Sequence, residues 1–164
     1  MKFIYIGDIV NTHGLKGEVR ILSDFKYKSK VFKAGFTVYV GRMKEPLVLT
    51  HHRVHKDYDM VTFEGITDIN DVIGYKGDKV YINREDIKIR GYFDEDYIGL
   101  SAYVDDKKIG EVVYILKSKA HDILVLDDHG VKHMVPNVKE FIKKVDLKEK
   151  RIEITEMKGL IDED

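Results

Sequence analysis

The stretch NTHGLKGEVRI, residues 11–21, carries the strongest local fold signal in the chain. Gly14 and Gly17 stand three positions apart, and glycine permits the positive φ angles that a reversal of strand direction needs. The residues that follow alternate, with Val19 and Ile21 on one face of a strand. The stretch therefore predicts a β-hairpin whose loop is shaped by the two glycines.

The same loop has a functional alternative, in which it exposes His13 and Lys16 to a phosphate backbone. A Gly-x-x-Gly loop binds nucleic acid in the KH module, but there it joins two helices, whereas strands flank this one. The spacing also differs from that of a phosphate-binding P-loop, which needs four residues between its glycines and a following Gly-Lys-Ser/Thr. Both interpretations, a structural turn and a recognition loop, remain open from the residues alone.

The remainder of residues 1–90 has the pattern of a small β-barrel. Short apolar or alternating runs predict strands at 3–10, 17–23, 36–41, 47–55, 60–65 and 78–84. One short helix is expected in TDINDVIGYKGD (67–78), where Thr67 or Asp68 can cap it and Gly77 can end it. Six short strands with one small helix favour a closed barrel, because closure removes exposed strand edges.

Residues 91–164 repeat the β pattern and carry a different charge. Strands are predicted at 99–104, 108–116, 122–127, 131–136 and 150–155, whereas 137–146 fits either a helix or a turn and strand. Residues 1–90 hold 16 Lys and Arg against 12 Asp and Glu, and residues 91–164 hold 12 against 17. We therefore expect two domains, 1–90 and 91–164, the second of which ends in an acidic tail from Lys158 to Asp164. The basic first domain is the one expected to contact nucleic acid.

Composition restricts the classes of function. The chain has no cysteine, which excludes disulfides, thiolate metal sites and a cysteine nucleophile. It lacks a secretion signal and any apolar run of about 18 residues, so a cytoplasmic protein that neither crosses nor enters a membrane is expected. In HHRVH, His51 and His55 lie too far apart on a strand to share one metal ion. No nucleophile elbow or acid–base pair stands out, which favours a binding protein without metal or cofactor over an enzyme.

One aromatic pair, Tyr92-Phe93, lies at the predicted domain junction, directly before the acidic run 94–96. Tyrosine and phenylalanine in such a connection either pack between two domains or anchor a partner protein. From the residues alone, packing between the domains is the favoured interpretation.

Taken together, these segments resemble the RimM family of bacterial ribosome maturation factors. The first half carries IGDIVNTHGLKGEVRI (6–21) and FEGITDINDVIGYKGDKVYINRED (63–86). The second half is similar to a PRC-barrel in DYIGLSAYVDDKKIGEVVYILKSKAHDILVLDD (96–128) and MVPNVKEFIKKVDLKEKRIEI (134–154). The order and spacing of these segments make the resemblance specific, and it covers essentially the whole chain.

The resemblance implies a monomeric, non-enzymatic assembly factor that binds the immature small (30S) ribosomal subunit and aids maturation of its head and processing of 16S ribosomal RNA. The implied protein partner is the small-subunit head protein numbered nineteen, contacted through an aromatic pair that falls on Tyr92 and Phe93. The second position is usually tyrosine in the family. His13, Lys16 and Arg20 become candidate contacts with ribosomal RNA or the subunit. The alternatives are a generic RNA-binding barrel, a non-ribosomal PRC-barrel adaptor and a metal-dependent hydrolase.

Overall fold

The computed structural model describes residues 1–156, and the chain forms two units, Met1–Ile89 and a second that begins at Arg90. Both units are built mainly from β-strands with a few short helices, which confirms the predicted fold class. The expected acidic tail lies outside the described residues.

The first unit is a closed six-stranded barrel. Its strands follow the order β1-β2-β5-β4-β3-β6 around the barrel, and all neighbours pair antiparallel. The strands are β1 Phe3–His13, β2 Glu18–Leu22, β3 Thr37–Val40, β4 Glu45–His55, β5 Tyr58–Phe63 and β6 Lys79–Asn83. Each corresponds to a strand expected from the sequence, within a few residues at the ends.

The barrel closes through β1, which pairs with both β6 and β2. Residues Phe3 to Asp8 pair with β6, residues Asp8 to His13 pair with β2, and the register shifts between Tyr5 and Gly7. A Cβ atom on Gly7 would lie 2.8 Å from the carbonyl oxygen of Leu22 on the neighbouring strand. Glycine is therefore needed where β1 bends from one partner to the other.

Alternate positions of these strands fill the interior of the barrel. Their inward side chains are almost fully buried, and they are β-branched or aromatic in most cases, as a pleated, half-buried surface favours. The largest are Ile4, Ile6, Ile9, Ile21, Leu49, Met60, Phe63 and Ile82.

Two features of the first unit depart from the sequence-based expectation. The segment 67–78 forms two short 3-10 turns, Ile69–Asp71 and Ile73–Tyr75, instead of one α-helix. Asp68 does cap the first turn, because its Oδ1 accepts a hydrogen bond of 2.8 Å from the backbone N–H of Asn70. A short helix, α1 Lys28–Val31, was not anticipated, and its buried Val31 joins the core.

The second unit opens with a four-residue helix, α2 Asp94–Tyr97, and continues as a six-stranded sheet. The sheet order is β10-β9-β8-β7-β12-β11, in which β7 and β12 run parallel and the other neighbours antiparallel. The strands are β7 Ser101–Val104, β8 Lys107–Leu116, β9 Ile123–Asp128, β10 Val131–Pro136, β11 Ile142–Asp146 and β12 Arg151–Ile154. The ambiguous segment 137–146 is thus a turn followed by a strand. The core contains Leu100, Ala102, Val112, Leu124, Leu126, Val135, Ile152 and Ile154.

Candidate functional site

The loop between β1 and β2 has the geometry that its glycines permit. Gly14 and Gly17 adopt φ angles of +71° and +92°, which side-chain-bearing residues rarely adopt. Gly17 is also tightly enclosed, since a Cβ there would lie 3.0 Å from Cγ2 of Ile66. The backbone N–H of Ile69 donates to the carbonyl of Leu15 at 2.9 Å, which holds the loop against the first 3-10 turn. Lys16 is exposed at the tip.

His13 and Arg20 meet at the base of this hairpin. A terminal N–H of the Arg20 guanidinium lies 3.0 Å from Nδ1 of His13, and donation by the guanidinium requires the His13 tautomer that carries its proton on Nε2. The guanidinium carbon lies 5.6 Å from the ring centroid of Tyr58. Within residues 1–156, the buried Nε of Arg20 has no hydrogen-bond partner. Two of the three candidate RNA contacts therefore touch each other, and Lys16 stands apart on the loop.

A bidentate ion pair borders this group and was not anticipated from the sequence. The Arg53 guanidinium donates to both carboxylate oxygens of Glu18, at 2.9 and 2.7 Å. The hydrogen bonds from Arg53 lower the pKa of Glu18 and outweigh the opposing effect of burial. The nearby rings of His13 and His55 lower it further by smaller amounts. The ring centroids of the two histidines lie 6.1 Å apart. The outer surface of β1, β2 and β4 thus concentrates cationic and imidazole groups around one neutralised carboxylate.

The histidine run on β4 divides between its two faces, because successive side chains of a strand point to opposite sides of the sheet. His52 lies opposite His51 and His55, where its Nε2 contacts Oδ1 of the buried Asp59 at 2.8 Å and its ring stacks on Phe32 at 5.5 Å. The His52 side chain is therefore engaged with the barrel through both Nε2 and its ring face and is not a solvated surface group. Across residues 1–156, no group of three or more His, Asp or Glu side chains is placed to hold a metal ion.

Tyr92 and Phe93 differ sharply in accessibility. Tyr92 is 40% exposed, and its ring packs edge-on against Tyr97 with centroids 5.8 Å apart. Phe93 is only 7% exposed, so it does not offer its ring to a partner on the surface of the folded chain. Of the two aromatic residues expected to contact a partner protein, only Tyr92 is therefore accessible for direct contact in the folded chain.

The acidic run beside this pair is largely engaged within the second unit. Asp96 is buried, and its carboxylate accepts a 2.8 Å hydrogen bond from the backbone N–H of Phe93 at the start of α2. The Lys117 ammonium lies 2.6 Å from Asp94 and 3.0 Å from Asp122. Partial burial lowers the pKa of Lys117, but its hydrogen bonds to the two carboxylates raise it by more. The run therefore adds less free negative charge around Tyr92 than its sequence suggests.

Comparison with known proteins gives matches along the whole chain. The family model for the RimM N-terminal domain matches residues 4–87, and the model for the RimM PRC barrel domain matches residues 94–160. A ribosome maturation factor RimM from Staphylococcus haemolyticus is 37% identical over 97% of this chain and 99% of its own length. The RimM of Exiguobacterium sibiricum is 33% identical over 99% of both chains.

Two solved structures were also matched at lower similarity. A putative 16S ribosomal RNA processing protein RimM from Pseudomonas aeruginosa is 19% identical, with a TM-score of 0.43 over 95% of this chain and 98% of its own. The N-terminal domain of RimM from Thermus thermophilus is also 19% identical, with a TM-score of 0.47 over 54% of this chain and 98% of its own. In residues 1–156, none of the helices has the length and apolar character required to span a bilayer.

Proposed function

The chain belongs to the RimM family of ribosome maturation factors, and on that premise we propose that it assists assembly of the small (30S) ribosomal subunit without catalysing a reaction. The observation that carries the proposal is the consecutive match of both RimM domains, at 37% identity to a relative over 97% of the chain. In this role the protein acts in the cytoplasm as a monomer and needs no cofactor. It favours head maturation and 16S ribosomal RNA processing by binding the immature subunit.

Head protein nineteen of the small subunit is the proposed protein partner, and Tyr92 is the proposed anchor. A half-exposed tyrosine offers a large contact area with few rotatable bonds, and such residues often dominate the binding energy of an interface. The excess of acidic residues in 91–164, 17 against 12 basic ones, supports attraction of a basic ribosomal protein. Phe93 has a different part in this proposal: its buried ring fixes the backbone that presents Tyr92.

The hairpin of the first unit is the proposed contact with the ribosomal RNA backbone. Lys16 is exposed on a loop of fixed shape, and the guanidinium of Arg20 lies beside His13 with its Nε unsatisfied within the described residues. Cationic groups of this kind bind phosphate without reading base sequence. This contact would position the factor on the subunit, whereas the head protein would supply specificity.

Two measurements test the proposal. Sedimentation of extracts from growing cells should show the tagged chain with immature small subunits, and its absence from them would contradict the assembly function. Calorimetric titration of purified head protein should then show a Kd for Tyr92→Ala roughly 30-fold higher than for the wild type, the lower end of the hot-spot range. Tyr114→Ala is the matched control, because Tyr114 is also exposed (57%) and lies on β8 of the same unit. Equal affinities for the two variants would remove Tyr92 as the anchor.

A further inference from the structure

A row of aromatic side chains covers part of the outer surface of the first barrel. Tyr81 on β6 stands directly opposite Tyr5 on β1 and Tyr39 on β3, so three tyrosines form one line across three neighbouring strands. Phe3 packs edge-on against Tyr39 and Tyr81, with ring centroids 5.1 and 6.3 Å apart. We call these four residues the aromatic face.

The interior of the barrel does not require this face. On β1 the inward residues are Ile4 and Ile6, on β6 Val80 and Ile82, and on β3 Val38 and Val40, all at most 2% exposed. The aromatic residues occupy the intervening positions, where Tyr5 is 41% exposed and Phe3, Tyr39 and Tyr81 are half-buried. Aromatic pairs across strands stabilise a sheet modestly, but an outward row of four also leaves π-surface open to a ligand.

The charges around the aromatic face are complementary to a polyanion. The Lys44 ammonium lies 4.1 Å from the ring centroid of Tyr81, and that of Lys79 lies 4.8 Å from the centroid of Tyr5. Both belong to flexible side chains that can move from a ring to a nearby phosphate. Arg42 is exposed in the turn between β3 and β4, at the end of the strand that carries Tyr39.

Two acids beside the aromatic face, Asp8 and Glu45, are already engaged, and the charge of a third, Asp24, also reaches Tyr5. Asp8 accepts a hydrogen bond from the Tyr5 hydroxyl and lies 3.7 Å from the Lys79 ammonium. Glu45 accepts a hydrogen bond of 2.8 Å from the hydroxyl of Tyr75. The carboxylates of Asp8 and Glu45 are therefore held in local contacts. Lys44 remains available to a ligand, and the exposed Lys79 ammonium can exchange its 3.7 Å contact with Asp8 for a phosphate.

We propose that the aromatic face, with Lys44 and Lys79, binds unpaired RNA by stacking bases on its rings and pairing phosphates with the two ammonium groups. Surfaces that bind single-stranded nucleic acid combine these two elements, exposed aromatic rings and cations along the backbone. The inference deepens the proposed function, since it gives an assembly factor a contact with single-stranded ribosomal RNA separate from the hairpin contact. A protein partner is the competing occupant, and the experiment distinguishes the two.

The test measures binding of the full-length chain to fluorescein-labelled oligoadenylate of about ten nucleotides, within the usual site size of such surfaces. Fluorescence anisotropy should show binding of the labelled oligonucleotide, and an unlabelled RNA duplex of the same length should not displace it. Replacing Tyr39 and Tyr81 together by leucine should weaken it by about tenfold or more, in line with the loss of one stacked base. Tyr114→Leu, on the second unit, should bind as the wild type does.

A second variant keeps the proposal testable if the leucine variant unfolds. Lys44→Gln combined with Lys79→Gln leaves the rings in place and should reduce the slope of log affinity against log salt by about 1.4, the value for two single-strand phosphate contacts. Ultraviolet cross-linking of the wild-type chain should place the oligonucleotide on peptides from β1, β3 or β6. Cross-links confined to other strands, or an unchanged salt slope, would overturn the proposal.

The remaining outcomes separate this inference from the proposed function. A wild-type chain that sediments with immature subunits but does not bind the oligonucleotide contradicts the aromatic-face proposal alone. A chain that binds the oligonucleotide but no subunit contradicts the assembly function alone. If the leucine variant binds RNA normally but loses the purified head protein, the face is a protein-binding surface and the RNA proposal is wrong.

Discussion

Substitution of Gly7 by alanine should destabilise the first barrel, because this glycine lies where β1 exchanges one partner strand for the other. A Cβ there would come within 2.8 Å of the Leu22 carbonyl oxygen, 3.0 Å of Ser23 Cβ and 3.1 Å of Ile21 Cγ2. The first of these contacts is with backbone, so no side-chain rotation relieves it. Separating β1 from β2 by a few tenths of an ångström would disturb their pairing at Asp8 and Leu22.

The expected loss is about 2 kcal/mol of the free energy of unfolding, within the usual range for overpacking a well-packed site. For a unit of this size, that loss lowers the melting temperature by roughly 8–16 °C. Thermal unfolding of the full chain, followed by circular dichroism, measures it directly. Gly74→Ala is the matched control, because a Cβ at Gly74 meets nothing within 4 Å and its φ is not in the left-handed region. That change should be neutral or slightly stabilising. If both variants melt within about one degree of the wild type, a difference far smaller than an overpacked site gives, the close approach at Gly7 is not what constrains the barrel.

Four further substitutions test the hairpin and the outer surface of the barrel. Lys16→Ala should leave the melting temperature unchanged and weaken binding to immature subunits by about 1 kcal/mol or less. Gly17→Val, in contrast, should lower the melting temperature. If both substitutions lower the melting temperature equally, Lys16 has a structural role and not a recognition role. Glu18 has a lowered pKa when folded, so its stabilising ion pair is present at neutral pH and is lost as pH falls through that lowered value. The free energy of unfolding of Glu18→Gln in urea should therefore depend less on pH, between neutral and acid, than that of the wild type. An identical pH dependence would contradict this. The hydrogen bond to Asp8 raises the pKa of Tyr5 to about 12, so absorbance titration of Tyr5→Phe should lose one of the late-ionising phenols and keep the early ones.

The strands could be predicted from sequence because each carries its own signal. Apolar residues at every second position indicate the inward face of a strand before any neighbour is known, and Gly14 with Gly17 indicates the turn. The segment 67–78 was harder, because Val72 and Ile73 fit a helical face while Gly74 and Gly77 weaken the helix. Two 3-10 turns bury Val72 with fewer residues in a helical conformation.

The parts of the site that sequence reasoning missed depend on residues far apart in the chain. Glu18 meets Arg53 only because β2 and β4 both pair with β5. Tyr5, Tyr39 and Tyr81 form one row only because of the register of β1, β3 and β6. No spacing within a single segment encodes these contacts. The burial of Phe93 was missed for the same reason, since adjacent aromatic residues in a connecting segment carry no signal that tells which of them is exposed.

The parallel pairing of β7 with β12 has a consequence for the order in which the second unit folds. Strands β8, β9 and β10 follow one another and pair as neighbours, so they can form a sheet as soon as they are synthesised. Ser101, in contrast, pairs with Arg151, and β7 gains this neighbour only after β8 to β11 have been made. Contacts between such distant segments slow folding because a long loop must close before any pairing energy is gained. During translation, the second unit therefore passes through a stage with a four-stranded meander, β7 to β10, whose β7 still lacks its second neighbour.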